Sequence, residues 1–213
     1  MTNLSIEVLD VLPEPFAVAP HLLFRLRLSE TSGAVVHALA LRAQVMVHPQ
    51  RRPYGDDERA GLVDLFGGSE RWFQTLKPFL WAHASTLVQG FQGVQEVDLP
   101  VACTYDFEVT ASKYLQALRE GEVPLELLFG GTVFTRGSTG FAVEQLPWSL
   151  QASCRMPVAT WGALMDQWFP GSGWIRLDRE ALDALVRYRS ARGLTSWEQT
   201  VTALLEGQEV ASP

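Results

Sequence analysis

Apolar residues recur at every second position through the first two thirds of this chain and then shift to helical spacing. Phe24, Leu26 and Leu28 alternate with Arg25, Arg27 and Ser29, a period that sends successive side chains to opposite faces of a half-buried strand. Leu39, Leu41, Ala43, Val45 and Val47 repeat the pattern against Arg42, Gln44 and His48. The turn residues Glu30-Thr31-Ser32-Gly33 between the two runs predict a hairpin. Residues 4–11 predict another strand, and Val101, Cys103, Tyr105, Phe107 and Val109 mark the apolar phase of a further one. Runs at 125–135 and 141–146 flank Arg136-Gly137-Ser138-Thr139-Gly140, a second hairpin signal. Several short strands separated by turns point to a two-sheet antiparallel sandwich.

Helical signals interrupt this pattern and then replace it. Asp56-Asp57-Glu58 open an acid-started helix carrying Leu62, Val63, Leu65 and Phe66, and Gly67-Gly68 stop it. Residues 69–76 predict a second short helix, while 111–119 fit either a strand end or a helix. Beyond Pro157, Trp161, Leu164, Met165 and Trp168 lie at helical spacing before Pro170-Gly171. Asp178 suits the N-cap of a helix over 179–192 ended by Gly193, and Ser196 suits that of one over 197–205. The expected fold class is α+β: antiparallel β-sandwich-like sheets with inserted short helices and a C-terminal helical segment. The expected organisation is a sandwich-like domain over 1–156, a helical appendage packed on it over 157–206, and a frayed tail over 207–213. No Pro/Gly/Ser-rich linker separates them.

Composition narrows the function classes. A chain of 213 residues with 47% apolar and 19% charged residues is globular rather than disordered. It can bury a core without disulfides or metals. No apolar run reaches the roughly 20 residues of a membrane-spanning helix, so no membrane insertion is expected. The opening residues Met1 to Glu7 lack a basic stretch followed by an apolar one, which predicts a cytoplasmic protein. A net charge of −7, from 24 acidic and 17 basic residues, argues against nucleic acid as partner. Cys103 lies on the apolar phase of its strand and reads as core. Cys154 stands beside Arg155, a neighbour that would lower the pKa of an exposed thiol.

Residues that could carry chemistry are sparse. His21, His37, His48 and His83 show no metal-ligand spacing, and neither cysteine has a Cys-x-x-Cys partner, so no metal or cofactor is expected. No nucleophile elbow, P-loop or dinucleotide-binding glycine pattern occurs. Gly130-Gly131 leads into a strand pattern and lacks the helix N-terminus that phosphate cradling needs. Asp106 and Glu108 lie two apart on a polar strand phase and read as a solvated edge before a catalytic pair. No catalytic residue is assigned, and the balance leans against an enzyme.

Two candidate binding sites remain. Arg51, Arg52 and Tyr54 sit in a proline-bounded loop, and Trp148 and Trp174 sit in Pro/Gly-flanked loops. Arg, Tyr and Trp are the residue types enriched at binding hot spots. This set is the candidate partner-binding surface. The second site is a small-molecule or catalytic pocket formed by Trp81, His83, Tyr105 and Asp106, with Trp81 and His83 on one strand face.

The stretches Glu7-Val8-Leu9-Asp10-Val11, His37-Ala38-Leu39-Ala40-Leu41-Arg42, Pro49-Gln50-Arg51-Arg52 and Phe79-Leu80-Trp81 resemble an uncharacterised bacterial family, a domain of unknown function. So do Cys103-Thr104-Tyr105-Asp106-Phe107-Glu108-Val109, Gly131-Thr132-Val133-Phe134 and Ser172-Gly173-Trp174. The similarity runs over nearly the whole chain. Genes of the family that the chain resembles often lie near those of nickel–iron hydrogenases and their maturation factors. The resemblance therefore implies an accessory or assembly role, with a hydrogenase subunit or maturation factor as partner. It supplies no catalytic residues. A direct metallochaperone would need His or Cys clusters, which this sequence lacks.

Overall fold

The computed structural model describes residues 2–104, 109–137, 140–173 and 175–209. The chain divides into two compact units, Met1–Trp174 and Ile175–Pro213. In chain order the strands are β1 (Leu4–Pro13), β2 (His21–Glu30), β3 (Val36–Val47), β4 (Phe79–Phe91), β5 (Val94–Ala102), β6 (Glu122–Gly137), β7 (Gly140–Gln145) and β8 (Gln151–Pro157). Three of them make an antiparallel sheet in the order β1-β2-β5. The other five make a second antiparallel sheet, β4-β3-β6-β7, in which β8 also pairs with β6.

The period-two pattern explains how the sheets meet. Leu22, Phe24, Leu26 and Leu28 of β2 and Leu39, Leu41, Val45 and Val47 of β3 are all fully buried in one apolar cluster. Leu99 and Val101 of β5 join it, as do Val123, Leu125, Leu127 and Val133 of β6. The opposite phase of β2 and β5 faces outward. There Arg25 pairs with Asp98 at 3.1 Å and Arg27 with Glu96 at 2.9 Å. Such exposed pairs add little stability, but a one-residue slip would break both, setting Arg25 and Arg27 opposite Gln95, Val97 or Leu99.

Two sequence expectations change. The runs at 24–28 and 39–47 do not form a hairpin: β2 pairs with β1 and β5, β3 with β4 and β6. Alternation fixes which face of a strand is apolar and leaves its neighbour open, so residues 31–35 carry the chain from one sheet to the other. The strand expected through Val109 ends at Ala102, and helix α4 begins at Thr110. Residues 105–108, including Tyr105, Asp106 and Glu108, lie outside the described residues. The hairpin expected around residues 136–140 forms as β6–β7, with Gly137 opposite Gly140.

Short helices close one end of the first unit. After β3 come α1 (Asp56–Gly61), α2 (Val63–Phe66) and α3 (Trp72–Thr75); α4 (Thr110–Ala117) precedes β6 and α5 (Val158–Trp168) follows β8. Tyr114 of α4 is fully buried at their centre. Its ring meets Phe79, Phe66 and Tyr54 edge-on, with centroids 5.6, 6.2 and 6.5 Å away. Such T-shaped pairs add to simple area burial. Helix α5 buries Trp161, Leu164 and Met165, the residues marked by helical spacing, and belongs to the first unit.

The second unit contains α6 (Arg179–Ala191) and α7 (Trp197–Glu209). Asp178 caps α6, its Oδ1 accepting the Ala181 N–H at 2.7 Å. Gly193, at φ +61°, follows the helix end in the left-handed conformation that glycine adopts without penalty. The Arg189 guanidinium lies 4.1 Å from the centre of the Trp197 ring. No helix among the described residues is long and apolar enough to cross a membrane.

Candidate functional site

The proline-bounded loop after β3 holds two of its three marked side chains inside the fold. The Arg52 guanidinium pairs with Glu58 at 2.9 Å, and the two side chains are 5% and 4% exposed. Arg52 also donates to the Glu120 carbonyl at 3.0 Å. The Glu58 carboxylate accepts the backbone N–H of Arg119 at 2.8 Å and that of Gly55 at 3.3 Å. Burial pushes the Glu58 carboxyl up; the Arg119 N–H, the Arg52 charge and the Gly55 N–H outweigh it and hold the group below its ordinary value. Tyr54 is buried as well, donating to the Pro49 carbonyl at 2.6 Å and lying 2.8 Å from the Tyr114 hydroxyl. Burial raises its pKa. Arg51 stays about half exposed, 3.7 Å from Glu126, which also contacts buried His48 at 3.1 Å.

Trp81 and His83, two of the four residues of the expected pocket, do not share a strand face because a bulge falls at Trp81, and Tyr105 and Asp106 lie outside the described residues. Val45 lies opposite Ala82 and Met46 opposite Leu80, so Trp81 is the extra residue in β4. A bulge shifts the alternation by one. Trp81 therefore turns into the core, edge-on to Phe24 at 6.3 Å and to Trp161 at 6.2 Å. His83 emerges on the opposite, outward face of the sheet. Sequence spacing alone placed the two together, and one unpaired residue undoes that placement.

His83 instead shares a hollow with Trp148. The hollow, of about 730 Å³, lies on the outward face of the five-stranded sheet and is lined by Arg42, Gln44, His83, Leu128, Gln145 and Trp148. Register places them: Gln44 of β3 stands opposite both His83 of β4 and Leu128 of β6, and Arg42 stands opposite Gly130. Gly130 keeps the floor open, since a Cβ there would meet nothing within 4 Å. Gly131 beside it has φ +151°, and a Cβ would lie 2.1 Å from the Ala40 carbonyl oxygen. That close approach is what only glycine permits.

A turn presents Trp148. The Leu146 N–H bonds the Gly131 carbonyl at 2.9 Å, and the Phe129 N–H bonds the Leu150 carbonyl at 2.9 Å. The Leu150 N–H reaches back to the Pro147 carbonyl at 3.0 Å. The segment is thus tied to β6 at both ends while the indole at its tip is 94% exposed. Leu87, Phe141 and Val143 on the same sheet face are exposed too, Leu87 by 70%. Arg42 has no ion pair among the described residues. Trp174 lies outside them.

The two thiols take no part in this face. Cys103 follows β5 and Cys154 lies in β8, and burial raises each to about 12. Arg155 thus does not activate Cys154: the thiol sits on the half-buried phase of its strand, while Arg155 is exposed and 3.9 Å from Glu122. Among the described residues, no group of three or more His, Cys, Asp or Glu side chains is placed to hold a metal ion.

Gln44, Arg42 and Gln145 were readable only as the polar phase of their strands. The informative signal was Gly130-Gly131, two glycines inside a long strand run, which marks a close backbone approach or a missing side chain.

These features define a two-sheet antiparallel α+β protein with a hollowed, partly apolar outward sheet face. The chain belongs to DUF6084, a family of unknown function, which matches residues 1–213. No curated protein matches it. Among solved structures, the β-glucosidase from Kluyveromyces marxianus aligns at 9% identity with a TM-score of 0.25. That alignment covers 73% of this chain and 15% of the glucosidase chain, and carries no argument about fold or activity.

Proposed function

We propose that this protein is a non-catalytic accessory protein that binds a protein partner through the outward face of the five-stranded sheet. The observation that carries the reading is exposed Trp148 beside a hollow lined by Arg42, which has no ion pair among the described residues, with exposed Leu87, Phe141 and Val143 elsewhere on the same sheet face. Aromatic and arginine side chains are the residue types that dominate binding energy, and exposed apolar patches mark interaction sites. The matching surface on the partner carries apolar side chains around a carboxylate that meets Arg42. The family resemblance makes a nickel–iron hydrogenase subunit or maturation factor the partner to test first.

The test is affinity capture from the native host with tagged wild type, the double variant Trp148→Ala/Arg42→Glu, and Arg51→Ala as the loop control. The expected result is recovery of a hydrogenase subunit or maturation factor by wild type and Arg51→Ala. The double variant should lose at least roughly tenfold, as expected for a hot-spot pair. Equal recovery by the double variant would remove the sheet face from the reading. Loss with Arg51→Ala alone would return the contact to the loop after β3.

A further inference from the structure

Strand β4 lies at the edge of the five-stranded sheet, paired with β3 on one side only. An unguarded edge is a template for pairing with another chain, and proteins protect edges with charge, proline or shortness. The other edges of this fold carry such guards. β1 holds Glu7 and Asp10 and ends in Pro13; β5 holds Glu96, Asp98 and Pro100. β7 is six residues long with Glu144, and β8 holds Arg155 and Pro157. β4 spans 13 residues with no Asp, Glu, Lys, Arg or Pro, and although β5 comes close beside it and α4 packs against its start through Tyr114 and Phe79, no second strand among the described residues is hydrogen-bonded to it. Its bulge sits near its start, at Trp81, leaving an uninterrupted ladder from Ala82 to Gln89.

We infer that β4 is the interface of a symmetric homodimer, pairing antiparallel with β4 of a second copy. Three features favour a second copy as the occupant. The edge is uncharged, so a two-fold axis through it brings no like charges together, whereas the guarded edges would oppose charge to charge. Outward residues His83, Ser85 and Leu87 alternate with inward Ala84, Thr86 and Val88, so a two-fold perpendicular to the sheet sets outward positions against outward ones. Pairing then consumes the one edge without a charge or proline among the described strands of each copy, so the assembly closes at two. The product is a continuous sheet of two five-stranded halves, with exposed Leu87 brought to the seam.

Sedimentation analysis and hydrogen exchange on the full chain test this. Wild type should run as a dimer, with amide protection in the Phe79–Phe91 segment that rises over a roughly hundredfold increase in protein concentration. Ser85→Lys places a guard in the middle of the edge. It should weaken dimerisation by at least roughly tenfold and remove the concentration-dependent protection, with an unchanged circular dichroism spectrum. A monomeric wild type throughout the range, or a dimer whose protection lies elsewhere, overturns the inference. So does a folded Ser85→Lys dimer as tight as wild type. If Ser85→Lys fails to fold, the wild-type exchange pattern decides alone. Ser85 also lines the Trp148 hollow and Leu87 belongs to both surfaces, so dimerisation is read on the purified chain with no partner present and partner capture is scored separately with Trp148→Ala/Arg42→Glu.

Discussion

Arg52 is held by one carboxylate, the carbonyls of Pro53 and Glu120, and an aromatic ring 4.9 Å from its guanidinium carbon. Truncating it strands a buried carboxylate, a change that costs about 3–5 kcal/mol in comparable pairs. Arg52→Ala should lower the urea unfolding free energy by that amount. Arg51→Ala, at an exposed neighbour, should stay within about 0.5 kcal/mol. The same site fixes the sign of a pH effect. Because the Glu58 pKa is lowered on folding, its contribution is complete above the ordinary carboxylate range and is lost as pH falls through the folded value. The stability advantage of wild type over Glu58→Gln should therefore shrink on acidification below that range; an advantage that grows would refute the pairing. Sequence marked Arg52 and Tyr54 as binding residues because residue type says nothing about which way a side chain turns. Two of the partners that hold them, Glu120 for Arg52 and Tyr114 for Tyr54, lie 68 and 60 residues further along the chain.

The strand β6 shows what a pattern of apolar positions can and cannot convey. It runs from Glu122 to Gly137 and pairs with β3 along one edge and with β8 and then β7 along the other. Its alternation was legible, and so was the β6–β7 turn. The division of its second edge between two strands was not, because pairing depends on where the intervening turn returns the chain. Gly130 and Gly131 lie side by side with opposite demands. Gly131→Ala forces a Cβ against the Ala40 carbonyl at φ +151° and should cost about 3 kcal/mol. Gly130→Ala projects into open space and should change stability by less than about 0.5 kcal/mol while narrowing the hollow. Denaturant midpoints of the two variants give the comparison, and equal costs would show that the close approach is not rigid. The bulge at Trp81 is the counterpart in β4: its one extra residue decides whether an indole is core and an imidazole surface, and no local residue type announces it.

For the whole molecule, every residue of the buried apolar cluster falls between Leu4 and Met165, inside the first unit. A chain ending at residue 174 should therefore fold with the same near-ultraviolet signature from Trp81 and Trp161. Its melting temperature should stay within roughly 4 °C of the full chain's; loss of that signature would mean the core is incomplete without residues 175–213. The α+β class and the passage from strands to helices were plain from periodicity. The partition into sheets was not, since both sheets are built from strands of the same pattern.

That partition has a consequence for how the chain acquires its structure. His21 pairs with Ala102 and Val36 with Thr135, so each sheet joins segments on either side of the helical insertion. Neither sheet can be completed during synthesis until most of the first unit has left the ribosome. Long-range closure of this kind is slow, on the order of milliseconds to seconds. Throughout that interval β3, the most apolar strand and the centre of the larger sheet, waits with at most one of its two neighbours in place. The nascent chain is therefore most vulnerable to misassociation after β3 has emerged and before β6 arrives to cover it.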